Sequence, residues 1–232
     1  MKIAIMQPYI FPYIGYFQLI NASDKFVIYD DVNFINKGWI NRNKILVNGK
    51  ANLFTIPLIK SSQNKLINEI EISESENWKS KFLKTVESSY SKAPYFNDSF
   101  AIISKIFQNN DPNISKFIFK SLNLICNYLE IETSIIESSS VYNNSGLKNQ
   151  NRILDICLKE NAYIYINSIG GLELYSIKSF EEKGLKINFI KPKAIQYKQF
   201  NDNFITPLSI IDVLMFNPKY KVKEFLNEYD LL

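Results

Sequence analysis

Residues 1–45 read MKIAIMQPYIFPYIGYFQLINASDKFVIYDDVNFINKGWINRNKI, and the succession of patterns in them sets the architecture for the rest. Ile3-Ala4-Ile5-Met6 is an apolar run short enough for a buried strand. A polar and aromatic loop with two prolines follows over 7–13. Gly15 then opens a helical pattern that brings Phe17, Leu19 and Ile20 on or near one face. Residues 25–29 read as a second strand, ended by Asp30-Asp31. Strand, loop, helix and strand within about thirty residues is the size of a βαβ unit, in which ligands gather at the carboxyl ends of the strands. Gln7 and Tyr9 follow the first strand, and Asp30, Asp31 and Asn33 follow the second. A site is expected there.

Further along, Asn48-Gly49 between apolar stretches at 44–47 and 52–56 is a type I′ hairpin signal. A polar loop at 60–65 leads to INEIEI at 67–72, which reads as a half-exposed strand. Apolar residues at three- and four-residue steps predict helices over 76–90, 95–107 and 114–128. Strand-like text returns at 133–136, 162–167, 186–190 and 194–197, with helices at 151–159, 209–216 and 222–229. This alternation argues for an α/β fold: a Rossmann-like, mainly parallel, three-layer sheet. We expect one α/β domain over 1–232, with a helical insertion or subdomain at 75–130.

The 232 residues, 46% hydrophobic and 22% charged, describe a globular chain. The net charge of +4 is spread among acidic residues, which argues against a DNA-coating protein. The apolar run after Lys2 is too short for a signal peptide, and no run reaches the length of a membrane span. A cytoplasmic protein is expected, with Cys126 and Cys157 reduced and buried in apolar helices. There are no histidines. That excludes Ser-His and Cys-His pairs, imidazole bases and histidine-ligated metals, and two cysteines cannot make a structural zinc site. No metal is expected. Chemistry must run on carboxylates, lysines, tyrosines, the two arginines, backbone dipoles or the substrate itself.

Several loops carry candidates. Gln7, Tyr9, Tyr13, Gly15 and Tyr16 surround a helix start where a glycine would let a phosphate approach; the alternative is a turn packed with aromatics. Asp30, Asp31 and Asn33 could bind a metal or accept substrate protons, or make an ordinary turn. In Lys37-Gly38-Trp39-Ile40-Asn41-Arg42-Asn43, Trp39 could stack a ring and Arg42 fork onto a phosphate or carboxylate. Lys148, Gln150 and Arg152 mark an anion-holding corner at a helix start, or solvated capping. Asn167, Gly170 and Gly171 follow a strand, as a weak phosphate signal. Asp212, in the apolar run SIIDVLMF, needs a partner if buried. Two spatial expectations follow. Gln7, Tyr9, Gly15, Asp30, Asp31 and Arg42 should converge on one cleft, and Lys148, Arg152, Asn167 and Gly170 should close it from the other side.

The run from MQPYIFPYIGYF to NKGWINRNKI resembles the WbqC-like family. The resemblance continues through Trp78, the stretch YSKAPYF at 90–96, KNQNRIL at 148–154, Ile166-Asn167 with Gly170-Gly171, and PLSIIDVLMFN at 207–217. It implies a step in bacterial O-antigen or other surface-polysaccharide synthesis. The activity implied is N-acyl or aminoacyl (for example glycyl) transfer to a nucleotide-linked amino sugar from a carboxylate, acyl or aminoacyl donor. On that reading Asp31 or Asp30 is catalytic, and the other candidates dock the sugar nucleotide. Tyr13-Ile14-Gly15-Tyr16 also falls where pantothenate-synthetase-like ligases carry His-x-Gly-His, which makes ATP a candidate cosubstrate. Other classes consistent with the same residues are a non-catalytic sugar-nucleotide-binding or scaffold protein and an RNA-dependent aminoacyl transferase.

Overall fold

The computed structural model describes residues 1–74 and 77–232. Its main sheet has six strands: β1 (Lys2–Met6), β2 (Lys25–Ile28), β7 (Ser134–Ile136), β8 (Ile164–Ser168), β9 (Lys186–Pro192) and β10 (Tyr229–Leu231). They lie in the order β10-β9-β8-β1-β2-β7, and all neighbours are parallel except β9 and β10. Numbered within the sheet the order is 3-2-1-4-5-6, so the winding direction reverses between β1 and β8. The strand pattern of the opening residues holds, with Ile3 opposite Lys25 and Met6 opposite Ile28.

Side-chain alternation sends neighbouring strand residues to opposite faces. Ala4, Phe26, Ile28, Ile166 and Ile190 join a large apolar cluster with α1 (Ile14–Asn21) and α4 (Ile114–Leu129). Ile3, Ile5, Val27, Tyr165, Ile187 and Phe189 join a second cluster with α5 (Asn149–Lys159) and α6 (Ile177–Glu181). The helices α2 (Trp78–Tyr90), α3 (Phe96–Phe107) and α4 pack in sequence and share the first cluster with the sheet. Of the helix expected over 76–90, position 76 lies outside the described residues, and α2 ends at Tyr90 as expected.

Outside the main sheet, β3 (Arg42–Val47) and β4 (Lys50–Thr55) form the expected hairpin. Asn48 and Gly49 take φ of 49° and 73°, as a type I′ turn requires. Three readings need correction. INEIEI is not one strand: Ile67–Glu69 is a 3₁₀ turn, and only β6 (Glu71–Ile72) pairs, with β5 (Leu58–Ile59). Its isoleucines fall at 67, 70 and 72, so the first spacing suits three residues per turn and the second suits a strand. Residues 194–197 form no strand; Ile195 and Tyr197 turn their side chains onto the core instead. The closing segment splits into α8 (Lys219–Phe225) and β10, preceded by α7 (Ile210–Phe216). Gln18, fully buried in α1, donates to the carbonyls of Phe225 (2.8 Å) and Glu228 (3.0 Å) and so fixes where that split occurs.

Candidate functional site

The alternation that organises the sheet also separates the two aspartates. Val27, Tyr29 and Asp31 point toward α5, whereas Phe26, Ile28 and Asp30 point toward α4. Asp30 is 2% exposed. Its carboxylate accepts from the hydroxyls of Ser115 and Ser138, both at 2.6 Å, and from the Ser139 amide at 3.2 Å. Burial raises its pKa, against the lowering effect of those donors. With its carboxylate hydrogen-bonded by neutral donors, Asp30 anchors β2 to α4 and to the loop after β7.

Asp31 meets a cation. Arg152 Nη2 donates to Asp31 Oδ2, and Arg152 Nη1 donates to the Asp31 carbonyl at 3.0 Å. The Ser139 hydroxyl donates to Asp31 Oδ1. Arg152 Nε donates to Asn144 Oδ1 at 2.9 Å, Asn144 donates to Asp155 at 2.7 Å, and the guanidinium lies over the Tyr29 ring at 5.0 Å. Arg152 and Asp31 are 4% and 9% exposed, yet both line a cleft of about 840 Å³ with Tyr29, Asn33, Lys148, Gln150, Glu173 and Tyr175. A buried ion pair whose guanidinium donates from each of its three nitrogens forms the floor, and an exposed lysine stands at the rim. Among the described residues, no group of three or more carboxylates and cysteines could hold a metal.

The residues expected to converge are therefore shared among separate hollows. Asp31, Asn33, Lys148, Gln150 and Arg152 do come together in the cleft. Asp30 lines a different hollow, with Asn68, Asn113 and Lys116. Tyr9, Tyr13 and Trp39 line a third, with Pro12, Asn43, Pro207 and Leu208. Gln7, Gly15 and Arg42 line none of these. Arg42 is spent on its own loop: Nε donates to the Gly38 carbonyl at 2.9 Å, Nη2 donates to the Lys37 carbonyl, and the guanidinium sits 5.9 Å from the Trp39 ring. Lys37 itself is exposed.

The helix-start reading changes too. A Cβ on Gly15 would lie 2.3 Å from the Tyr13 ring and 2.9 Å from Pro192, so the glycine makes room for packing. Tyr16 is 3% exposed, and its hydroxyl donates to the Gln7 carbonyl at 2.8 Å. With the Tyr13 ring against Gly15 and the Tyr16 hydroxyl bonded to the Gln7 carbonyl, Tyr13-Ile14-Gly15-Tyr16 does not suit a triphosphate. Nor does Gly170 meet anything: a Cβ there would touch no atom within 4 Å, while one on Gly171 would lie 2.7 Å from Asn167 Nδ2. Asn167 and Gly170 are not among the cleft residues, so the far wall consists of Lys148, Gln150 and Arg152. The Gln150 side chain is fixed at both ends, accepting from the Ser176 amide at 2.9 Å and donating to Ser179 at 3.2 Å.

The sequence reading missed Tyr29, Tyr175, Ser139 and Asn144. Tyr29 carried a signal, because the alternation of β2, carried past its end, puts Tyr29 and Asp31 on one face. Burial raises the Tyr29 and Tyr175 pKa values, so both hydroxyls keep their protons, and Tyr175 also pairs with buried Tyr165 at 3.2 Å.

A family model for WbqC-like proteins matches residues 7–224, spanning the cleft, the aromatic hollow and both halves of the sheet. The chain belongs to the WbqC-like protein family. It is also 28% identical over 228 residues, 97% of each chain, to a Mycobacterium tuberculosis (strain ATCC 25618 / H37Rv) protein named "Uncharacterized protein Rv1507c". No solved structure matches the chain significantly. Among the described residues no helix is long and apolar enough to cross a membrane.

Proposed function

We propose that this WbqC-like protein is a cytoplasmic enzyme of surface-polysaccharide (O-antigen) synthesis. It transfers an acyl or aminoacyl group, such as glycyl, to the amine of a nucleotide-linked amino sugar. The observation that carries this reading is the Asp31–Arg152 pair at the floor of a large cleft, with Asp31 just past the carboxyl end of β2 and Arg152 near the start of α5. The sheet order and the two apolar clusters support a Rossmann-like, three-layer arrangement in one domain, with 75–130 as a helical elaboration of it.

An ionised carboxylate offers about four acceptor positions. Arg152 and Ser139 occupy one each on Asp31, which leaves room for an amine N–H. The amine nitrogen bonds to the donor's carbonyl carbon, the bond from that carbon to the leaving group breaks, and the amine proton passes toward Asp31. Arg152 holds Asp31 in place, so it is a positioning residue. Tyr29 and Tyr175 donate to sugar hydroxyls, and Lys148 at the rim attracts phosphate. Because the helix start at Tyr13–Tyr16 does not suit a triphosphate, the donor is proposed to arrive already activated.

The test incubates the protein with a nucleotide-linked amino sugar and, in turn, an acyl thioester, an aminoacyl-tRNA, and an amino acid with ATP. Mass spectrometry then reads the sugar. Addition of the acyl mass with either preactivated donor supports the proposal. Binding of the sugar nucleotide without product in any arm overturns catalysis in favour of a scaffold. Product only with ATP overturns the preactivated donor.

A further inference from the structure

The aromatic hollow lies apart from the cleft and is built with comparable care. Three chain segments form it: Tyr9 to Tyr13, Trp39 to Asn43, and Pro207-Leu208. Backbone bonds lock them together. The Ile10 amide donates to the carbonyls of Ile40 (3.1 Å) and Trp39 (3.3 Å). Asn43 Nδ2 donates to those of Phe11 (2.8 Å) and Ile10 (3.1 Å), and the Ile210 amide donates to that of Pro12 (2.9 Å). Phe11 takes a φ of 41°, a conformation costly for a bulky residue, on the order of 1–3 kcal/mol. It is held there against the rings of Phe82 and Phe107, with centroids at 6.0 and 5.9 Å. The strained turn brings Tyr9 and Tyr13 out side by side, and Gly15 leaves space for the Tyr13 ring.

The lining chemistry is specific. Trp39 is 42% exposed and Tyr13 40% exposed. Arg42 lies against Trp39 with its Nε and one Nη donating to backbone carbonyls, and no lysine or arginine is among the described residues that line the hollow. Among the described residues the hydroxyls of Tyr9 and Tyr13 have no hydrogen-bond partner, and burial raises both pKa values, keeping the protons on. The Asn43 side chain is fully used by the carbonyls above and by the Lys44 amide. The hollow, about 220 Å³, thus offers a flat aromatic platform, apolar proline and leucine walls, and two free phenol donors.

We propose that this hollow binds a nucleobase, stacked on Trp39, with the Tyr9 and Tyr13 hydroxyls donating to its polar edge. A phosphate or carboxylate would find no cation among the described lining residues. A pyranose carries hydroxyls around its whole rim, and most would be left unpaired against proline and leucine, which is costly. A base has a π-face and a few polar groups on one edge, and aromatic stacking accepts any base. The inference does not depend on the acyl-transfer chemistry of the cleft, and its test reads Trp39 rather than turnover.

The chain has two tryptophans, and in Trp78→Phe the fluorescence belongs to Trp39 alone. That variant is titrated with uridine and adenosine, with N-acetylglucosamine and inorganic phosphate as comparison probes. The expected result is saturable quenching by at least one nucleoside and none by the other two probes. Calorimetry on the chain with both tryptophans should show nucleoside binding weakened about tenfold or more by Trp39→Ala. The double variant Tyr9→Phe/Tyr13→Phe should also weaken it, whereas Asp31→Asn should leave it unchanged. Quenching by N-acetylglucosamine but not by nucleosides would assign the hollow to sugars and overturn the proposal. So would nucleoside binding that survives Trp39→Ala, or no binding of either nucleoside to the otherwise native chain.

Discussion

The substitution Asp31→Asn keeps the shape of the side chain and removes its charge, which leaves Arg152 buried without a counter-ion. The guanidinium would keep its bonds to Asn144 Oδ1 and to the carbonyl of residue 31, but at 4% exposure it cannot turn to water. Removing one partner of a buried pair costs about 3–5 kcal/mol. Because asparagine can still accept through its Oδ1, the low end applies, about 3 kcal/mol. For a chain of this size each kcal/mol lowers Tm by roughly 2–4 °C, so the expected loss is about 6–12 °C. Domains are stable by about 5–15 kcal/mol, so the variant stays folded at 25 °C, where its turnover in the transfer assay should be lost. Adding Arg152→Met removes the stranded cation and should restore part of the loss, a coupling of about 0.5–3 kcal/mol in a thermal-denaturation cycle. A Tm within about 2 °C of the parent, or strictly additive losses, would refute the argument that the pair holds the cleft floor.

Other expectations concern the core. Asp212, fully buried, accepts from Tyr90 (2.9 Å), Tyr197 (2.7 Å) and Gln199 (2.7 Å); Tyr197→Phe removes one donor to a carboxylate and should cost about 1.5–3 kcal/mol in denaturant titration. Burial raises the Asp212 pKa above its ordinary 3.8, so the folded chain holds that proton more tightly than the unfolded one. The resulting stabilisation is complete below pH 3.8 and lost as pH rises through the raised value. The stability of the parent relative to Asp212→Asn should therefore improve on acidification across that window, and a flat difference would contradict it. Burial pushes both thiols up to about 12, so Cys126 and Cys157 should resist alkylation at pH 8 until denaturant is added.

What the sequence made legible followed from short-range periodicity. The βαβ opening, the Asn48-Gly49 hairpin and the three central helices each announce themselves within a dozen residues. β10 did not, because Tyr-Asp-Leu has no pattern of its own and pairs only because β9 is beside it. The site was half legible. Asp31, Lys148 and Arg152 were recognisable as polar groups at strand and helix ends. The assignment of Asp30 and Asp31 to one role overlooked that adjacent strand residues face opposite sides. Tyr9, Tyr13 and Trp39 were visible as aromatics, but their separation from the cleft depends on Phe11 and Asn43, whose contacts are long-range.

The central position of β1 has a consequence for synthesis on the ribosome. One of its edges is covered early by β2, but the other waits for β8, paired from Lys2 with Ile164. At about 5–20 residues per second, the intervening stretch of roughly 160 residues takes about 8–30 s to emerge. Throughout that time a strand with Ile3, Ala4 and Ile5 presents an unpaired apolar edge. The nascent chain is thus a natural client for a holding chaperone, and slowing translation within the helical block should increase aggregation of the product rather than improve its folding.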